Sequence, residues 1–295
     1  MTAIREIARA KINLTLSVIG RRPDGYHEIE SLVAFADLGD GVSLEPGSDR
    51  RVTTSGPFAA AIDGPNLLEK ALALLREIEP GLRLGTVALE KNLPVAAGLG
   101  GGSADAAALL RAVRRANPES ATRVPWDAVA ARLGADVPVC LTGKPALISG
   151  IGEKVEPLFY DLPPMAAVLL NPRLPLSTAA VYRALAAPPA PPHRPPPAPP
   201  GPFAGLDALV DYMRARGNDL EPPATSLLPL IADLKAALTA LPGCLLAGLS
   251  GSGPTCFGIF ADEAAASCAA AMLTAAHPAY WIRSTRLASK LNRPG

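Results

Sequence analysis

Histidine and cysteine are scarce in this sequence. The chain has three histidines and four cysteines in 295 residues, and neither type falls in a metal-binding spacing or a Cys-x-x-Cys pair. The cysteines lie in apolar stretches, which is typical of small buried side chains in a reducing compartment. These absences argue against a metal centre and against a disulfide framework.

An excess of charge of one sign is also missing. The 28 basic residues stand against 27 acidic ones, for a net charge of +1, so the basic stripe needed to bind nucleic acid is absent. No apolar run reaches the ~18 residues that span a bilayer, and charges interrupt the first 20 residues, unlike a signal peptide. We therefore expect a cytoplasmic protein with no nucleic-acid or membrane partner.

The composition predicts a folded α+β protein. Apolar residues make up 49% and charged residues 19% of the chain, which is enough for a packed core. Strand and helix patterns mix without regular βαβ alternation, which favours an α+β fold with two lobes. Strands are predicted over 11–18, 28–38, 41–45, 84–90, 255–260 and 280–285, and helices over 67–78, 103–116, 126–133 and 263–275.

One segment departs from this pattern. Residues 188–202 contain ten prolines in fifteen positions, a composition that excludes a helix or a central strand. A ligand for a proline-recognising domain is one interpretation, but a surface insertion or semi-rigid linker is favoured.

The glycine-rich run Pro94–Ala104 carries the most chemical information. Four of the five residues from Gly98 to Gly102 are glycine, which lets backbone N–H groups approach a ligand closely. Ser103 is predicted to be the N-cap of the following helix, whose free N–H groups and dipole favour an anion such as phosphate. The alternative is a tight turn before a capped helix, without a ligand.

Three common phosphate-binding signatures do not fit. No lysine follows the glycines as in a P-loop, and Ser103 occupies the third glycine position of the dinucleotide fingerprint. The His-Arg-Asp and Asp-Phe-Gly motifs of protein kinases are absent as well.

The run instead resembles the ATP loop of the GHMP kinase superfamily, Pro-x-x-x-Gly-Leu-Gly-Ser/Gly-Ser/Gly-Ser-Ala. Two further motifs of that family occur in the family's order, Ala10–Leu14 before the loop and Gly251–Thr255 after it. The resemblance implies ATP as co-substrate, with Mg²⁺, and a two-lobed GHMP kinase fold. Its N-terminal ribosomal-S5-like lobe would occupy residues 1–160, and its C-terminal ferredoxin-like lobe residues 161–295.

Further motifs at Arg22–His27, Gly134–Pro138 and Asn218–Glu221 are similar to those of the family branch that acts on 4-diphosphocytidyl-2-C-methyl-D-erythritol. This resemblance implies phosphorylation of that substrate's 2-hydroxyl, in non-mevalonate isoprenoid synthesis. The alternatives are a homoserine-type or mevalonate-type kinase, which needs no cytosine site, and a non-catalytic ATP-binding protein. A monomer or weak homodimer is expected.

The resemblance also assigns roles to residues. It implies Lys11 and Asp136 as the catalytic pair, Ser103 as the side chain nearest Mg²⁺, and Asn13, Tyr26, His27 and Tyr182 as substrate-binding residues. Three of these residues have an ordinary alternative: a strand-end charge for Lys11, a loop residue for Asp136, and a core aromatic for Tyr182. The implied ATP-binding residues are Pro94, Val95, Ala96, Ala97, Gly98, Leu99, Gly100, Gly101, Gly102, Ser103 and Ala104.

Overall fold

The structure is a computed structural model that describes residues 3–47, 51–64, 66–191 and 197–287. The strands are β1 (Ile4–Asn13), β2 (Ser17–Arg21), β3 (His27–Glu45), β4 (Val52–Ser55), β5 (Thr86–Glu90), β6 (Ala146–Gly150), β7 (Lys154–Pro157), β8 (Met165–Asn171), β9 (Cys244–Leu249), β10 (Cys256–Phe260) and β11 (Trp281–Leu287). The α-helices are α1 (Leu67–Ile78), α2 (Gly101–Ala116), α3 (Trp126–Leu133), α4 (Val137–Thr142), α5 (Thr178–Leu185), α6 (Leu206–Arg216), α7 (Glu221–Leu227), α8 (Leu230–Thr239) and α9 (Glu263–Ala276).

The chain divides into two compact units that interleave in sequence. The first unit consists of the described parts of residues 1–10, 38–95 and 100–143. The second consists of the described parts of residues 11–37, 96–99 and 144–295. The division predicted at residue 160 remains a prediction.

Helix α2 forms the centre of the first unit. It packs against α1, α3 and α4, and its residues from Ala104 to Leu110 are all buried. The small alanine side chains allow neighbouring helices to approach on several sides, and burial of the whole stretch stabilises the packing. In the same unit, β5 pairs with β4 in parallel and with the end of β3 antiparallel.

The second unit is built on an antiparallel sheet whose central strand is β8. Strands β10 and β11 flank β8 on its two sides, and β9 pairs with β10. Every residue of β8 is buried, as expected for an apolar strand covered on both faces. The beginning of β3 pairs with β2 and β6, and β6 pairs with β7.

Two strand predictions were wrong. The predicted strand 11–18 is interrupted between β1 and β2, because the N–H groups of Leu14 and Thr15 both donate to the Leu32 carbonyl. The predicted strands 28–38 and 41–45 form one strand, β3. Gly39 lies within this strand and allows close approach, because a Cβ there would lie 2.1 Å from the Ala8 carbonyl oxygen.

The prediction of Ser103 as an N-cap was also wrong. Helix α2 begins at Gly101, and its N-cap is Gly100 in the left-handed conformation at φ 62°. Ser103 therefore lies within the first turn. Helix α1 begins as predicted, with the Asn66 side chain accepting a hydrogen bond from the Leu68 N–H. Among the described residues, no helix has both the length and the apolarity to cross a bilayer.

Candidate active site

Ser250 holds residues 96–99 of the glycine-rich loop in place within the second unit. Its hydroxyl donates to the Gly98 carbonyl at 2.8 Å and accepts from the Asn13 N–H at 3.2 Å. The Leu99 carbonyl accepts from the Lys11 N–H at 2.9 Å, and the Ala97 carbonyl accepts from the Thr255 N–H. Both flanking family motifs, at residues 10–14 and 251–255, thus hold this part of the loop.

Glycine is required where the two loops meet. Gly98 has φ 74°, and a Cβ on it would lie 2.3 Å from the Ser250 carbonyl oxygen. Gly251 has φ 57°, and a Cβ there would lie 3.3 Å from Asn13 Oδ1. A side chain at Gly98 would therefore separate the loops as well as strain the backbone.

Lys11 and Asn13 belong to a buried polar chain. Lys11 is only 4% exposed, and its Nζ donates to Asn13 Oδ1 at 3.1 Å. Asn13 Nδ2 in turn donates to Ser31 Oγ at 2.7 Å, and the Ser31 hydroxyl donates to the Thr15 carbonyl. These bonds fix the amide orientation of Asn13 and hold the Lys11 ammonium at the end of β1.

The rest of the glycine-rich loop opens helix α2 in the first unit. The Gly100 carbonyl accepts the Ala104 N–H at 2.8 Å, while Gly101, Gly102 and Ser103 form the first turn. Their N–H groups precede the regular helical bonds, so they remain donors for an anion.

A buried ion cluster beneath this first turn was not found from the sequence. Lys91 Nζ lies 2.5 Å from Asp40 Oδ2 and 2.7 Å from Asp105 Oδ2. Asp40 Oδ1 also accepts the N–H groups of Asn92 and Leu93. A Cβ added to Gly101 would lie 3.1 Å from Lys91 Nζ, so the ammonium supports the start of α2 directly.

Asp105 is a buried residue of α2 whose carboxylate pairs with Lys91. Burial raises the pKa of Asp105 to about 7; the charge of Asp40 adds to this, and the Lys91 ammonium opposes it. Asp105 Oδ1 is buried and has no hydrogen-bond partner among the described residues.

Asp136 lies in the first unit as the N-cap residue of α4. Its carbonyl accepts the Cys140 N–H at 3.2 Å, and Pro138 occupies the first turn of that short helix. The motif Gly134–Pro138 thus forms the start of a helix. Proline is favourable there because a backbone N–H in the first turn has no partner within the helix.

The second unit contains a cavity of about 750 Å³ lined by the three predicted aromatic residues. His27 and Tyr182 stack with ring centroids 4.8 Å apart and an interplanar angle of 30°. Tyr26 is 60% exposed, and its N–H donates to Asp24 Oδ1 in the turn before β3. An exposed aromatic at a cavity mouth offers a flat face to a planar ligand.

Burial lowers the pKa of His27 below its ordinary value of 6.5, and the positive charge of Arg21 lowers it further. At neutral pH the imidazole is therefore uncharged, with one nitrogen donating and the other accepting.

Arg21 and Arg183 line the same cavity, although neither belongs to a motif that identifies it as a site residue. The described lining contains both guanidinium groups and no carboxylate, which favours an anionic ligand. The lining residues are Arg21, Gly25, Tyr26, His27, Ile151, Thr178, Ala179, Tyr182, Arg183, Ala186 and Ala187.

Two family models match parts of the chain. The GHMP kinases N terminal domain matches residues 66–144, and the GHMP kinases C terminal domain matches residues 204–279. The chain belongs to the GHMP kinase family. The prediction of an α+β GHMP kinase fold is therefore confirmed.

Relatives of this GHMP kinase extend the likeness over nearly its full length. It is 49% identical over 293 residues to the 4-diphosphocytidyl-2-C-methyl-D-erythritol kinase of Rhodopseudomonas palustris, covering 96% of this chain and 97% of the relative. It is 51% identical over 282 residues to the enzyme of the same name from Parvibaculum lavamentivorans, covering 95% and 96%.

Solved structures agree. A crystal structure of 4-(cytidine 5'-diphospho)-2C-methyl-D-erythritol kinase is 36% identical with a TM-score of 0.76, over 97% of this chain and all of that one. The homoserine kinase from Cytophaga hutchinsonii, at 18% identity and a TM-score of 0.63 over 97% of this chain and 95% of that one, shares the fold.

The buried cluster of this GHMP kinase generates a stability prediction. Lys91→Met should lower the free energy of unfolding by about 3–5 kcal/mol, because it leaves two buried carboxylates without their cation. Asp105→Asn should cost less, since Lys91 and Asp40 remain paired. Chemical denaturation measures both.

Lys70→Met in α1 is the matched control, because Lys70 is exposed and such substitutions change stability by within about 0.5 kcal/mol. Equal stability of the Lys91 and Lys70 variants would contradict the structural role of the cluster.

Proposed function

We propose that this protein transfers the γ-phosphoryl group of ATP to the 2-hydroxyl of 4-diphosphocytidyl-2-C-methyl-D-erythritol, giving the 2-phosphate and ADP. This places the enzyme in non-mevalonate synthesis of isoprenoid precursors. The full-length likeness to kinases of that name supports the assignment.

The observation that carries the proposal is the cavity of the second unit. Its three aromatic rings suit a nucleobase, and neutral His27 can both donate to and accept from the edge of cytosine. Its two arginines suit the attached diphosphate. Tyr26, His27 and Tyr182 are thus the proposed cytidine-binding residues.

The glycine-rich loop is the proposed site for the ATP phosphates. Backbone N–H groups at the start of α2 would contact phosphate oxygens, and the helix dipole would favour their charge. The described residues contain no group of three or more His, Cys, Asp or Glu side chains that could hold a metal ion.

The Ser103 hydroxyl, in the first turn of α2, would be a protein ligand of Mg²⁺, which prefers oxygen ligands. When bound, Mg²⁺ neutralises charge on the β- and γ-phosphates.

Phosphoryl transfer needs an oriented hydroxyl and positive charge at the transferred group. We assign Asp136 to orient the 2-hydroxyl and accept its proton as the oxygen–phosphorus bond forms and ADP departs. Lys11, held by Asn13, supplies a fixed positive charge. Asn13 is also proposed to contact the methylerythritol hydroxyls.

The rival functions differ in what the cavity must hold. A homoserine-type or mevalonate-type kinase needs no nucleobase site, and a non-catalytic ATP-binding protein needs neither Lys11 nor Asp136. We further propose a cytoplasmic monomer or weak homodimer that binds no nucleic acid, in keeping with the balanced charge.

The direct test is ADP release with ATP and Mg²⁺, comparing the cytidine-diphosphate substrate with homoserine, mevalonate and galactose. We expect turnover with the first substrate alone. Turnover with another alcohol would refute the substrate assignment, and none with any would favour the binding protein.

Asp136→Asn should lower kcat in this assay by about 10²–10⁴-fold, the usual contribution of a positioned acid or base. The thermal midpoint and ATP affinity should be retained. Asp127→Asn, an exposed change in α3, is the control. Unchanged kcat in the Asp136 variant would remove its assigned role.

Tyr26→Ala should raise KM for the cytidine substrate about five- to hundredfold, because base stacking contributes about 1–3 kcal/mol. KM for ATP should not change. Tyr26→Phe keeps the ring and should behave like the wild type. A similar rise in both KM values would argue against stacking.

Cytidine binding should weaken as pH falls through the lowered pKa of His27. The neutral imidazole persists from neutral pH to below its ordinary pKa of 6.5, and protonation then removes its acceptor nitrogen. Calorimetric titration of cytidine from about pH 7.5 to about pH 5.5 measures this.

His27→Gln, which does not titrate, should give a flat profile over the same range. A matching decline in the variant would show that another group is responsible.

A further inference from the structure

Residues 188–190, at the start of the proline-rich segment, are anchored to the strand that carries Arg21. The Arg21 N–H donates to the Pro188 carbonyl at 2.7 Å, and the Ala190 N–H donates to the Arg21 carbonyl at 2.8 Å. Arg21 and Pro189 form a parallel β-bridge. On its other side, Arg21 pairs with His27 of β3.

Gly20 allows the segment to approach the strand this closely. A Cβ at Gly20 would lie 2.6 Å from the Ala190 Cα and 2.9 Å from the Pro188 carbonyl oxygen. Both are backbone atoms, so a side chain at this position would displace the segment.

The far end of the segment is anchored as well. The Tyr160 hydroxyl donates to the Pro200 carbonyl. Just beyond the segment, the Phe203 ring lies edge-on to Tyr160 and to Tyr212, at 6.5 and 5.3 Å between centroids. The Arg216 guanidinium covers Tyr212 at 5.0 Å. Aromatic pairs of this geometry stabilise beyond their buried area.

The first anchor continues directly into the cavity wall. Helix α5 carries Tyr182 and ends at Leu185, and Ala186 then turns the chain with a positive φ of 49°. Ala186 and Ala187 line the cavity together with Arg21. Residues 186–190 thus connect the end of α5 to β2. These two elements contribute Tyr182 and Arg21 to the cavity wall.

We propose that residues 188–190, at the start of the proline-rich segment, are a positioning element of the cytidine cavity, holding Arg21 and the C-terminal end of α5 at the spacing that the nucleotide requires. A wall that is already fixed loses less conformational entropy when the ligand binds. The inference rests on the proposed function, because it takes this cavity to be the cytidine site.

An external proline-recognising domain is a weaker explanation of the segment. Such domains dock on exposed polyproline helices, whereas the Pro188 and Pro200 carbonyls are engaged within the chain. The described ends of the segment are therefore structural parts of this fold.

Ala190→Pro tests the anchor, because proline removes the N–H that donates to Arg21. We expect KM for the cytidine substrate to rise about fivefold, because one hydrogen bond is lost. The dissociation constant of CDP, measured by calorimetry, should rise by the same factor. The kcat at saturation, KM for ATP and the thermal midpoint should match the control.

That control is Ala198→Pro, the same change in the same segment, where the N–H makes no hydrogen bond among the described residues. Gly20→Ala should raise the same two constants and accelerate hydrogen exchange at the Ala190 N–H.

Wild-type affinity in the Ala190 variant, or undiminished protection of Ala190 in the Gly20 variant, would overturn the inference. Capture of a proline-recognising domain by the wild type with no change in KM on mutation would also overturn it. A wild-type protein that binds neither CDP nor the substrate would instead refute the proposed function.

Discussion

The Ser250 hydroxyl is the interaction on which the loop geometry of the second unit depends. It joins the backbone of β1, at Asn13, to the carbonyl of Gly98. One small side chain thereby fixes the strand that carries Lys11 against the glycine-rich loop. Asn13 and Ser250 are buried, so loss of the bond between them would leave a buried N–H group without a partner, which is costly. The left-handed glycines at 98 and 251 leave the space that this arrangement needs.

Much of the fold and of the candidate site could be predicted from sequence, because the sequence signals for these parts are local. The glycine-rich run, the Asp-Gly-Tyr-His turn and the helix from Leu67 to Ile78 each carry their information within a few residues. The same local logic failed at Ser103, where the left-handed Gly100 begins the helix three residues earlier. It also failed in β3, a single strand that was predicted as two strands over 28–38 and 41–45.

The Lys91 cluster could not have been predicted, because its members are distant in sequence. Asp40 and Lys91 are 51 positions apart, and only β-sheet pairing in the first unit brings them together. A lysine and two aspartates in separate segments give no periodic signal, and each alone would be assigned to the surface. The two arginines of the cavity could not be predicted for a similar reason. Arg21 and Arg183 are distant in sequence, and only the packing of a strand and a helix brings them to one cavity.

The pairing of Arg21 with a proline has a consequence for how this protein behaves in concentrated solution. A strand at the side of a sheet offers free N–H and carbonyl groups to other chains, and such edges promote aggregation. The bridge pairs Arg21 of β2 with Pro189. Because proline has no backbone N–H, Pro189 cannot donate a hydrogen bond to a further strand. At that point the second unit therefore ends its sheet with a residue that cannot recruit a further strand.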